Sequence, residues 1–202
     1  MGRLLRFSRA IDRFSIRVGS VFAWAILIAV VVSAVNAIVR KVFNTSSNSW
    51  LELQWILFGA VFLLCAPWTL LSNEHIRIDI VNNALPKRVR DWIDVFGHAF
   101  FLLPMAAVVA WLGWPFFWLS LMQDEQSTNA GGLPVYPSKL LIPLAFTLLF
   151  VQGISELIKR LAIIRGELAD TASGGGHHAA AEAEADRVIQ AAKMEAEQRG
   201  SS

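Results

Sequence analysis

The 202-residue sequence holds one cysteine and one tyrosine, and only 17% of its residues are charged. A lone Cys65 excludes an internal disulfide, a CxxC redox pair and a thiolate zinc cage; it suits a small buried filler. Soluble domains are about one-quarter charged, so so low a fraction excludes an ordinary soluble enzyme. Stretches of 22, 21, 29 and 16 residues contain no Asp, Glu, Lys or Arg at all. Within them the one histidine is His98, near an end, whereas a diheme four-helix subunit needs paired axial histidines at membrane depth. What fills the chain is apolar: 55% hydrophobic residues, eight Trp, thirteen Phe and a mean hydropathy of +0.49. The net charge of +2 and pI near 9.0 do not point to nucleic acid, because the basic residues flank apolar runs and form no patch. They suit a membrane surface.

A bilayer-spanning helix needs about 20 apolar residues at 1.5 Å each. The sequence predicts an all-α integral membrane protein with four such spans, at about residues 18–39, 51–73, 95–120 and 137–158. The first is too long for a signal-peptide core, and its one small-residue site, Val35-Asn36-Ala37, is weak, so it is expected to be an anchor. The third uncharged run exceeds what a bilayer requires and is expected to tilt. Its outer part, from Trp111 to Trp118, has the composition of an aromatic belt. Pro137 is well placed to open the fourth helix. Pro67, Pro104, Pro115 and Pro143 fall inside spans, which membrane helices tolerate where neighbours re-satisfy the backbone.

Basic residues set the expected orientation. Residues 1–17 form a basic arm with five arginines; the loop after span two and the segment after span four bring the total on that side to twelve, against three on the other. This bias predicts that both termini are cytoplasmic. In the loop from Glu74 to Asp94, Ile76, Ile78 and Ile80 alternate with polar residues, suiting an extended segment. From Pro86 onward Val89, Trp92, Ile93 and Phe96 take helical spacing, opposite Lys87, Arg88 and Arg90, which predicts an amphipathic cytoplasmic stretch feeding span three. The membrane domain is expected over 18–168, and residues 169–202, with Ser173-Gly174-Gly175-Gly176 and an Ala/Glu-rich run, are expected to form a flexible tail. His177 and His178, adjacent and beside glycines, form no metal cage.

Little chemistry is written into the spans. Glu52, Glu74, Asp94, Asp124 and Glu156 lie at helix ends, where caps, dipoles and water account for them. Ser49 and Glu52 stand in the S-x-x-E spacing of a capping box, a role that Gln would fill equally well. Ser33, Asn36, Gln54 and Gln152 are polar without charge and suit hydrogen bonds between helices. No internal repeat relates residues 18–73 to 95–158, and no pair of broken helices meets at mid-depth, as autonomous secondary transporters generally require. The residues therefore point to a membrane protein that works with a partner, or else to a stand-alone or self-assembling four-helix scaffold or channel; they indicate no enzyme.

Several motifs resemble one family. Trp50-Leu51-Glu52, Phe58-Gly59-Ala60, and His75-Ile76-Arg77-Ile78-Asp79 after the second span are similar to the small membrane subunit of tripartite ATP-independent periplasmic (TRAP) transporters, the DctQ-like family. The run from Asn129 through Gly132 and Pro134 to Pro137, and Gln152-Gly153-Ile154-Ser155-Glu156, resemble its third loop and fourth helix. The resemblance covers about residues 10–165 and departs at Glu52, which stands alone between Leu51 and Leu53 where members often carry an acidic pair. It implies a multi-pass protein of the bacterial inner membrane that scaffolds a large permease subunit for sodium-driven uptake of an organic acid delivered by a periplasmic binding protein. Sodium coupling is expected in the large subunit, and no catalytic, cofactor or metal site in this chain. Trp50, Glu52, Gly59, His75, Arg77, Asp79, Gly132, Pro134 and Gly153 are then the candidate assembly residues. The His75–Asp79 stretch would either contact the large subunit or position the amphipathic loop.

Overall fold

A computed structural model describes residues 2–45, 47–72 and 86–167. The described residues are helical, with a single isolated bridge between Gln126 and Pro134 and no strand. In chain order the helices are α1 (Gly2–Ala23), α2 (Ala25–Phe43), α3 (Asn48–Leu71), α4 (Lys87–Gly97), α5 (Leu103–Met122) and α6 (Tyr136–Ile164). A π-turn, His98–Leu102, joins α4 to α5. By length and composition four helical stretches can cross a membrane: Leu4–Phe43, Asn48–Leu71, Val89–Met122 and Tyr136–Ile164. Three of the four expected spans fall within them; the second, 51–73, runs past Leu71, and its last residue lies outside the described residues. The expected extended segment, His75, Arg77 and Asp79, and the tail beyond Glu167 lie outside the described residues.

The basic segment at the start of the chain is helix, not a bare arm. Ser8, Ile11, Ser15 and Gly19 recur at helical spacing and are buried, while Arg6, Arg9, Arg13 and Arg17 are exposed. The buried stripe packs on α3 and α6. Only a turn at Trp24 separates α1 from α2. The π-turn has an equally local cause. Pro104 lacks an amide hydrogen and its ring would press on the carbonyl four residues back; the wider turn, with the Leu103 amide bonded to the His98 carbonyl, relieves this.

Helix α6 is the hub, in contact with α1, α3, α4 and α5. Ala60, Leu64 and Ala145 form its contact with α3, walled by Phe22, Leu63, Leu141, Leu144 and Leu148. Small residues line the other contacts. Ala106, Ala110 and Gly113 of α5 face α6, where a Cβ at Gly113 would stand 3.1 Å from the Pro143 Cβ. Large apolar side chains point outward instead, among them Phe62, Trp111, Leu112 and Met105. Lipid is as apolar as leucine, so burial there gains little, and close backbone approach through small residues supplies the packing.

Candidate functional site

Chain direction places the α2–α3 and α5–α6 connections at one end of the bundle. There Glu52, in the first turn of α3, reaches across to the α5–α6 loop. Its Oε1 accepts hydrogen bonds from the Ser127 hydroxyl and from Asn129 Nδ2 at 2.8 Å, and its Oε2 accepts from the Leu133 backbone amide at 2.6 Å. Two neighbours repeat the pattern: Asn48 Nδ2 donates to the Ala130 carbonyl at 2.9 Å and Ser49 Oγ donates to the Gly131 carbonyl. The loop is folded to receive them, with Gly131 in the left-handed region at φ 68°. A Cβ at Gly132 would stand 2.5 Å from the Ser127 Cβ and 2.7 Å from Glu52 Oε1, so only glycine fits beneath the carboxylate.

This geometry corrects the expected capping box. The N-cap of α3 is Ser47, with no side-chain cap bond, and Ser49 lies inside the helix. Glu52 is instead spent on three donors from 75 to 81 residues away, which offer a carboxylate more than one local amide can. The loop carries its own ion pair. Glu125 Oε2 accepts from Ser120 Oγ at 2.6 Å and from Lys139 Nζ, and the same ammonium sits 4.2 Å from the centroid of the Phe116 ring. The Lys139 hydrogen bond first, and the Ser120 hydrogen bond second, hold the Glu125 carboxyl below its ordinary value.

The opposite end carries a second cluster. Asp12 of α1 accepts from Gln152 Nε2 and Ser155 Oγ, each at 2.9 Å, and from Lys159 Nζ at 3.1 Å. Lys159 also donates to Glu156 at 2.5 Å, Ser15 Oγ donates to Gln152 Oε1 at 2.7 Å, and the Ser8 and Ser155 hydroxyls lie 2.6 Å apart. Glu156 therefore belongs to an interhelical network and not merely to a helix end. On α4, Asp91 and Asp94 face the guanidinium of Arg160, with the Asp94 pair at 3.2 Å, while Val89, Trp92, Ile93 and Phe96 are exposed. The two aspartates of this helix thus turn inward and its apolar residues outward.

Of the candidate residues, the structure brings Glu52, Gly132 and Pro134 to one loop and places Trp50, half-exposed, beside them. Gly59 opens on space, with nothing within 4 Å of its Cβ position. Gly153 lies towards the other end, against Leu102 and Leu103 of this same chain, so its small size serves internal packing. Sequence reasoning missed Asp12, Ser127, Asn129 and Arg160. For Asp12 a signal exists: Ser8, Asp12 and Ser15 share one helix face, as do Gln152, Ser155, Glu156 and Lys159. Among the described residues no group of three or more His, Cys, Asp or Glu side chains could hold a metal ion.

A family model described as "Tripartite ATP-independent periplasmic transporters, DctQ component" matches residues 27–162. The chain belongs to the DctQ family. It is thus a small membrane subunit of a TRAP transporter, a multi-pass membrane protein from a family of transporter components and not of enzymes. Membership implies association with a large permease and a periplasmic binding protein. No curated protein and no solved structure gave a significant match to the chain. In this DctQ protein the matched region takes in the Glu52 loop cluster whole, but of the Asp12 network it holds only the α6 side, Gln152 to Lys159, and stops short of α1.

Proposed function

We propose that this subunit braces the scaffold of the large membrane subunit while that subunit carries an organic acid inward with sodium, the acid being delivered by the periplasmic binding protein. One observation carries the reading: from Asp12 to Glu156, every carboxylate among the described residues has a partner inside the chain. A transport path across a bilayer uses ionisable groups that face a cavity and exchange partners. Here such groups sit in staples at the two ends, and the outward faces between them are bulky and apolar, as suits a brace. Trp50, Glu52, Gly132 and Pro134 would present a firm platform to the partners, and Gly59 a place where a helix of the large subunit could approach closely. The protein would sit in the bacterial inner membrane with the platform on the periplasmic side and both termini cytoplasmic, as the twelve-to-three distribution of basic residues favours.

Reconstitution tests this. The chain alone in liposomes should show no sodium-driven accumulation of an organic acid, and accumulation should begin when the large subunit and binding protein are added. Sodium-coupled uptake by the purified chain alone would sink the proposal, and ion conductance by the chain alone would favour a self-assembled channel.

A further inference from the structure

We infer that the groove between the end of α2 and the start of α3 is a binding site for an anionic phospholipid. The groove has a volume of about 460 Å³, within the range of about 300–1,000 Å³ typical of small-molecule clefts. Ser33, Asn36, Arg40, Lys41, Asn44 and Gln54 line it, and no acidic side chain does. Four of the six belong to one face of α2, at steps of three, four and one residues, and Asn44 caps the end of that helix.

Two features set this cluster apart. Asp12, Glu52, Glu125 and Arg160 all have internal partners, yet among the described residues none of the six groove side chains has a hydrogen-bond or ion-pair partner. The expectation that Ser33, Asn36 and Gln54 bond between helices is therefore unmet, although Gln152 does so. The polarity is also graded. Arg40, Lys41 and Asn44 form the mouth, and Ser33 lies about 11 Å further in than Arg40 at 1.5 Å per residue. Deeper still, the same helix faces continue as Val30 and Ile26 on α2 and as Phe58 and Phe62 on α3, all exposed.

An amphiphile with one anionic head matches that order. The guanidinium and ammonium would bind phosphate oxygens through charge-assisted bonds, and the amides and hydroxyl would meet glycerol and ester oxygens. The acyl chains would then run along the apolar continuation. Basic pockets between membrane helices bind anionic head groups by this electrostatic route.

The test is native mass spectrometry of the full chain in detergent with phosphatidylglycerol, phosphatidylcholine or inorganic phosphate. Phosphatidylglycerol should be retained and should raise the unfolding temperature; the other two should do neither. Arg40→Gln with Lys41→Gln should weaken retention about thirtyfold, from about a factor of five per basic residue, and abolish the thermal shift at unchanged elution volume. Arg13→Gln with Arg17→Gln, which removes the same charge at the far end, should change retention less than threefold. Equal weakening by both double variants would overturn the site in favour of diffuse surface attraction. Equal retention of phosphatidylcholine, or displacement of the lipid by phosphate, would overturn it as a phospholipid site. Retention unchanged in the groove variant, with an acidic partner subunit binding less well, would reassign the groove to protein docking.

Discussion

Glu52 shows how much one side chain can hold when its partners come from far along the chain. Its carboxylate accepts from a hydroxyl, an amide side chain and a backbone amide of the α5–α6 loop. In Glu52→Gln one oxygen becomes an NH₂ group, which must face either the Leu133 amide or the Asn129 amide, donor against donor. The loop should loosen, with faster proteolysis between residues 127 and 133 and weaker partner binding at unchanged helix content. A loop as resistant as the parent's would mean the carboxylate is not what holds it. Glu125 makes a pH-dependent contribution. Its folded pKa lies below the ordinary 4.5 because Lys139 and then Ser120 bond the ionised form. Its contribution is thus fully present above 4.5 and is lost as pH falls through the lower folded value. Thermal unfolding of Glu125→Gln against the parent should show its largest deficit near neutrality, shrinking upon acidification below the ordinary carboxylate range. A deficit constant with pH would point to lost packing instead.

At the scale of helices, two glycines with the same appearance in sequence should behave oppositely. A Cβ at Gly153 would lie 3.0 Å from Leu103 Cδ2, so Gly153→Leu should destabilise the isolated subunit by about 1–3 kcal/mol through overpacking. Gly59→Leu should leave the isolated subunit unchanged and impair only assembly, because its Cβ position is open. Unfolding of each variant alone, beside co-purification with the large subunit, separates the two. The contrast also marks what sequence conveys here. The spans were legible because a bilayer requires long uncharged runs, and the register of α4 because Val89, Trp92, Ile93 and Phe96 repeat helically. Which face of α4 turns inward was not, since that depends on Arg160, far along the chain. Ser49 and Glu52 satisfied a local pattern that the long-range loop overrode, and the arginines of residues 1–17 hid the small buried stripe beneath them.

For the whole molecule, orientation is the first consequence to check. Cysteine labelling after Gly176 in intact cells should show no periplasmic access; labelling there would refute the proposed topology. A further consequence follows from α6 being both the hub and the last helix of the bundle in chain order. Asp12 finds Lys159 across a separation of 147 residues, and Glu52 waits for Leu133 across 81. A ribosome adding about 5–20 residues per second needs roughly 7–30 s to make the first of those partners. Through that interval Asp12, and for the earlier part of it Glu52, are met by water and head groups alone, since the groups that lock them do not yet exist. Synthesis order thus makes α6 a latch: a nascent chain halted before Gln152 has its first three membrane stretches but neither a complete fourth nor the network that fastens it to α1, and should be a readier substrate for membrane proteases until the final helix arrives.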